Sequence, residues 1–406
     1  MTAAPGGDPA APPRWVLPGL VIAQACGISP WLSSSAVLPA LTQAWGLAPG
    51  DAGLLVSAVQ AGFLAGTLLF ALLNLSDLYA PRRVFLLSAL LTAACNAGFA
   101  LAGGVGPALA WRFATGVALA GVYPVGMKLA VSWFPGRAGY VLGWMLAAGT
   151  LGSSSSYLLA GLGAHLPAPV VLGVASALAA MGGVLALWIG EGPHLPPAAR
   201  LDLAMAFRIF RLPRYRAAAL GYFGHMWELY AAWALAPLFA GLALAPLGWD
   251  SPAWVRLGAF ALVAAGIPGC LGGGALSLRA GSLRVAAGAL AVSGAFCVLG
   301  PLLHLASPLA YGAGLLVWGA FAIADSAQFF ALSSAACPER YVGTALTIQT
   351  CIGFAVTVVS IELTSRLFPL LGAASTWLLA PGPLLGLWVL LRGYRGAAPE
   401  AAPAGA

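Results

Sequence analysis

Four charged or titratable side chains within apolar stretches carry the chemistry this chain can do: His225, Glu228 and Asp325 near mid-depth, and Arg112 nearer a span end. His225 and Glu228 are three positions apart, about one helical turn, so both can reach one side of a helix. An imidazole and a carboxylate in that relation suit proton exchange. Burial and their mutual attraction act on the pair in opposite senses, and imidazole titrates near neutral pH. Functional ionisation and a hydrogen-bond network that only holds helices together are both compatible with this spacing. Met226 adds a sulfur, and His N, Met S and carboxylate O together suit a transition metal. But Met226 points about 100° away from His225 on a helix. No metal site is assigned.

Neutral polar groups accompany these four. Ser33, Ser34 and Ser35 with Gln24 fall in the first apolar stretch, and Ser153 to Ser156 in the fifth. Gln328, Thr347 and Gln349 fall in the tenth and eleventh. The serine runs read more as close-packing surfaces than as a binding wall. The dipeptides Ser29-Pro30 and Tyr123-Pro124 can free backbone carbonyls toward a cavity, because proline interrupts helical hydrogen bonding. That arrangement suits a small polar or anionic solute.

The elements that position these groups are read from composition. The chain of 406 residues is 61% hydrophobic and 7% charged, with a mean hydropathy of +0.93. Hydrocarbon accepts such a chain only as spanning helices, and an ionisable residue at mid-depth is a functional candidate. The six cysteines are scattered without a CxxC spacing and read as small buried apolar residues. The net charge of +7 reflects arginines placed at one membrane face, with no nucleic-acid partner implied. No phosphate-binding loop, nucleophile elbow or metalloprotease motif occurs, and no cofactor is expected.

Apolar runs predict twelve spans, at about 15–43, 52–74, 84–103, 107–130, 139–163 and 168–189, then 215–242, 253–277, 284–303, 308–332, 342–367 and 373–392. Residues 1–14 and 393–406 read as disordered cytoplasmic tails. Residues 15–190 form a first six-helix bundle, 191–214 a connector and 215–392 a second bundle. The arginines of the connector and of the loops after spans two, four, eight, ten and twelve share one side with Arg14. Both termini are therefore expected in the cytoplasm of a cell whose inner or plasma membrane holds the chain. Leu203, Met205, Phe207 and Phe210 alternate with connector arginines and suit either an interfacial helix or a basic loop. The halves look like a weak internal repeat, a transporter trait.

The loop containing Asp77, Tyr79, Pro81, Arg82 and Arg83 resembles the D-R-Y-G-P-R-R signature of the major facilitator superfamily. Leu78 stands where that signature has Arg, Ala80 where it has Gly, and Leu73 where a Gly precedes it. The resemblance implies a cytoplasmic gate at Asp77, Arg82 and Arg83, with Asp77 accepting hydrogen bonds from a neighbouring helix N-terminus or arginine. Arg112, Gly116 and Ala120 resemble the superfamily's R-x-x-x-G-x-x-x-A stretch, whose arginine is associated with proton coupling. By helix rise Arg112 sits only about 8 Å from the outer end, so snorkelling to the interface suits it equally. Span five lacks the Gly-Pro pair of exchangers, which weakens a drug/H+ exporter reading.

The resemblance implies an all-α membrane protein of two six-helix bundles whose spans one, four, seven and ten line a cavity. It further implies a monomeric secondary transporter, not an enzyme, working by alternating access, with protons, membrane lipid and a small-molecule substrate as partners. The expected cavity residues are His225, Glu228, Asp325, Arg112, Tyr123, Gln328 and Gln349. In flavour the chain resembles cyanate/nitrate-type and organic-anion members. Nitrate itself is disfavoured, because span two has no arginine and Arg256 lies near the outer end of span eight. A copper-type importer and a non-transporting sensor or enzyme are the alternatives.

Overall fold

The chain is described from a computed structural model covering residues 12–195, 205 and 208–395. The described residues form helices without strands. The first half comprises α1 (Val16–Ile28 and Ser33–Trp45), α2 (Pro49–Leu72), α3 (Pro81–Ala100), α4 (Val105–Leu119 and Tyr123–Trp133), α5 (Ala138–Leu162) and α6 (Ala168–Ile189). The second comprises α7 (Pro213–Ala234 and Ala236–Leu244), α8 (Pro252–Ala264 and Gly266–Ala280), α9 (Ser282–Ala306), α10 (Pro308–Ala324 and Ser326–Ala335), α11 (Val342–Leu371) and α12 (Thr376–Leu379 and Pro381–Gly393). These are the twelve spans of a two-bundle membrane protein.

The repeat read weakly in the sequence is plain in the packing. α2 lies on α4 as α8 lies on α10, and α3 lies on α6 as α9 lies on α12. The seams between halves follow the same symmetry, α2 against α11 and α8 against α5. Glycines allow the closest of these contacts. A Cβ on Gly62 would stand 2.0 Å from the Phe113 carbonyl oxygen, and one on Gly116 2.1 Å from that of Val59. In the second half a Cβ on Gly269 would meet the Ala320 oxygen at 2.0 Å, and one on Gly319 the Leu262 oxygen at 2.0 Å. Helices in lipid associate through such small-residue contacts, since hydrocarbon supplies no hydrophobic drive between them. Gly116 of the family-like stretch thus has a packing role.

The spans are less continuous than hydropathy suggests. Interruptions fall in α1, α4, α7, α8, α10 and α12, and α7 bends by 62° at its break. Five of the six have a proline in the break or within three residues after it: Pro30, Pro124, Pro237, Pro268 and Pro381. Proline cannot donate to the preceding turn and its ring crowds it. α10 alone is interrupted without one, at Asp325.

The interfacial helix considered for the connector falls outside the described residues at Leu203 and Phe207. Met205 and Phe210 pack inward on a small cluster that includes Ile209, Tyr215 and Cys337. Of the tails, 1–11 and 396–406 lie outside the described residues.

The glycine contacts give a test. Gly62→Val and Gly269→Val should each destabilise the protein by about 1–3 kcal/mol through overpacking, seen as a lowered melting temperature in detergent. Gly173→Val, on an open face of α6, should change it little.

Candidate functional site

A cavity of about 430 Å³ lies where the halves meet. Its wall includes Trp31, Phe63, Tyr123, Tyr222, Tyr230 and Phe354, with Met127 and Met226. Thr150, Ser153, Ser326, Thr347 and Thr350 supply hydroxyls, and among the described residues no Lys, Arg, Asp or Glu lines it. The lining runs from mid-span to Gly139 at the start of α5, Ser334 at the end of α10 and Leu346 near the start of α11. All three lie toward the end of the bundle that carries the N-terminal end of α1. Toward the opposite end an aromatic cluster closes the space. Trp31 stacks on Tyr230 at 5.7 Å, and Phe63 lies 4.4 Å from Phe354.

Beyond that cluster the halves are bonded across the seam. Tyr157 Oη donates to the Trp233 carbonyl at 2.7 Å, at the α7 break. Arg256 Nη1 donates to the Ala160 carbonyl at 3.1 Å. The cavity therefore opens toward the N-terminal end and is sealed at the other.

His225, on α7, is fully buried behind this wall. Its Nε2 is 2.8 Å from Ser326 Oγ, and its Nδ1 is 2.8 Å from Asp325 Oδ1, a close contact without hydrogen-bond alignment. Asp325 is the residue that interrupts α10, and Ser326 opens the next helical piece and lines the cavity. Ser326 thus joins the buried pair to the cavity. Sequence reasoning missed it; the signal was its adjacency to a buried aspartate.

Glu228 is not in the same hydrogen-bond set. Its Oε1 accepts from Ser293 Oγ at 2.6 Å, and its Oε2 accepts from Trp318 Nε1 at 3.2 Å and from Cys297 Sγ at 3.3 Å. These partners lie on α9 and α10. The shared cavity expected for His225 and Glu228 is therefore corrected: one helical turn separates them into two networks, and neither side chain lines the cavity.

Arg112 is likewise placed differently from an interfacial cation. It is 0% exposed. Nη1 donates to the Pro30 carbonyl at 3.1 Å, Ser33 Oγ at 3.0 Å and Asn96 Oδ1 at 3.3 Å, and Nη2 to the Trp31 carbonyl at 2.7 Å. Its guanidinium lies over the Phe99 ring, 5.4 Å from the centroid. Snorkelling fails because the α1 break presents carbonyls within reach. The Ser29 carbonyl at the α1 break and the Tyr123 carbonyl just after the α4 break each meet a protein donor: Ser156 Oγ donates to Ser29 O at 2.7 Å, and Gln24 Nε2 to Tyr123 O at 3.2 Å.

The other expected residues divide. Tyr123 and Thr347 line the cavity. Gln328 Nε2 reaches the Gly273 carbonyl at 3.4 Å, and Gln349 is buried on α11; neither lines the cavity. In the gate loop the Asp77 side chain lies outside the described residues. Arg82 Nε pairs with Glu191 Oε2 at 3.3 Å, and its backbone N–H donates to Glu191 Oε1 at 3.0 Å. Glu191 follows α6, so this contact stays within the first half, and Arg83 is exposed. Glu362 and Arg366 form a local pair at 3.3 Å.

The sequence profile of the Major Facilitator Superfamily matches residues 20–361. The chain belongs to the major facilitator superfamily. It is a multi-pass secondary transporter, not an enzyme. A crystal structure of a mutant of the nucleoside transporter NupG superposes on this superfamily member with a TM-score of 0.70 and 13% identity, over 94% of this chain and 100% of that one. At that identity the likeness concerns the fold. No curated protein matches the chain by sequence.

Removing the buried guanidinium leaves two carbonyls, a serine and an asparagine short of a donor, each worth about 1–3 kcal/mol when buried. Arg112→Ala should therefore lower the melting temperature in detergent well beyond Arg366→Ala, whose pair is largely exposed.

Proposed function

We propose that this transporter moves a small, uncharged solute with a planar or largely apolar body, coupled to protons, by rocking its two halves around the central cavity. The observation that carries the reading is Ser326, which lines the cavity while its hydroxyl contacts the buried His225, itself against Asp325. A solute bound beside Ser326 alters the partner of His225 Nε2. A proton gained or lost by the pair in turn alters what Ser326 offers the solute. Binding and protonation are thereby linked, and linkage is reciprocal.

Of the polar or anionic solute expected from sequence, the neutrality of the cavity wall favours the uncharged alternative. A carboxylate or phosphate entering it would leave water without a cationic partner. Aromatic rings with a few hydroxyls suit a flat solute held by stacking and oriented by hydrogen bonds. Nucleosides, for which the structurally similar transporter NupG is named, belong to this class and are natural first probes. Binding a ligand to the folded state alone raises the melting temperature. Uncharged planar compounds should do so across a metabolite panel, and small organic anions should not.

Proton coupling is assigned to His225 and Asp325, with Glu228 as a strut joining α7 to α9 and α10. Both termini are read as cytoplasmic, in the inner or plasma membrane, so the open cavity faces inward. The monomer is the transporting unit. The test compares pH-driven uptake with counterflow in proteoliposomes. Asp325→Asn should abolish accumulation driven by a pH gradient while counterflow persists, and Glu228→Gln should keep both. Loss of accumulation in Glu228→Gln with Asp325→Asn unaffected would move the coupling site to the other network.

A further inference from the structure

A second groove, about 940 Å³, lies away from the cavity, at the end of the molecule that carries the N-terminal end of α1. Its walls are the outward sides of α1 and α5, and its rim is the turn between α4 and α5 together with the segment after α6. The rim is built: the His194 N–H donates to the Ser132 carbonyl at 3.1 Å, the Gly192 N–H to Ser132 Oγ at 2.9 Å, and Trp133 Nε1 to the Gly190 carbonyl at 3.1 Å.

Two kinds of side chain line it. Arg14 and Arg137 are exposed at its mouth with His194. Neither arginine has an ion-pair partner among the described residues. Below them the wall is apolar, with Leu17, Ile22, Tyr140 and Trp144. Nearby, Trp15 and Trp188 lie 5.0 Å apart, both exposed. Exposed aromatics beside arginine mark the headgroup level of a bilayer.

We propose that this groove binds an anionic phospholipid, its phosphodiester held by Arg14 and Arg137 and an acyl chain laid along Leu17, Ile22, Tyr140 and Trp144. A guanidinium is the side chain best matched to phosphate oxygens. A free phosphate would use the rim and leave the apolar wall uncovered, whereas a lipid uses both. A cationic rim at headgroup level attracts anionic over zwitterionic lipid. The groove touches α5, which also lines the transport cavity and the seam.

The full-length protein, purified and delipidated, would be probed by native mass spectrometry with equal amounts of phosphatidylglycerol and phosphatidylcholine. The wild type should retain phosphatidylglycerol about thirtyfold better, on the order expected from two arginines near the surface. Arg14→Gln with Arg137→Gln should abolish the preference, and the paired lysine variant should keep most of it. Arg214→Gln with Arg216→Gln, on the connector side, should leave it intact. If the double glutamine variant does not fold, each single variant should still lower the preference. Equal retention of the two lipids by the wild type would overturn the proposal. So would an unchanged preference in the folded glutamine variants, or full displacement by an equal concentration of soluble glycerol phosphate.

Discussion

A backbone carbonyl freed in the middle of a hydrocarbon slab must find a donor, and the polar architecture of this transporter follows from that need. Interrupting α1 at Ser29–Leu32 exposes three successive carbonyls. Ser156 takes the first, and Arg112 takes the next two with the help of Ser33 and Asn96. Asn96 is fixed in turn by donating to Leu172 O and Ser176 Oγ, both at 3.0 Å. A single break thus recruits α3, α4, α5 and α6 into one network. The first half is tied together because its polar groups are satisfied only together.

The second half gathers its buried polar groups around acceptors, two carboxylates, where the first half gathers them around a guanidinium donor. Glu228 collects donors from α9 and α10, and Asp325 meets His225 beside the interruption of α10. Five interruptions are explained by proline. The one at Asp325 is placed by an acidic residue, and there the buried pair comes within one hydroxyl of the cavity.

Much of this was legible in the sequence, and the failures share a cause. Hydropathy and arginine placement indicate twelve spans in two halves, because length and charge sidedness are local properties. The depths of His225, Glu228 and Asp325 also follow from counting along a helix. Facing does not: position 228 is one turn from 225, yet Trp318 and Ser293 turn its carboxylate aside. Arg112 looks interfacial by rise alone, since no count along α4 reveals that the Pro30 break lies opposite it. Ser326 carried no signal as a lone serine. Its meaning comes from Asp325 before it and His225 on another helix.

The adjacency of Ser156 and Tyr157 carries a mechanical consequence. Neighbouring residues on a helix point about 100° apart, so one step along α5 reaches two different broken helices, α1 in its own half and α7 in the other. The first bond lies within one half, and the second crosses the seam between halves. If the halves rock as proposed, the first would be kept and the second broken when the sealed face parts. The seam therefore behaves like a fuse beside a weld. In the proposed rocking, the Tyr157 contact is one of the bonds that opening this face would break, together with the Arg256 bond and the aromatic cluster, while α5 stays anchored to α1 one residue away.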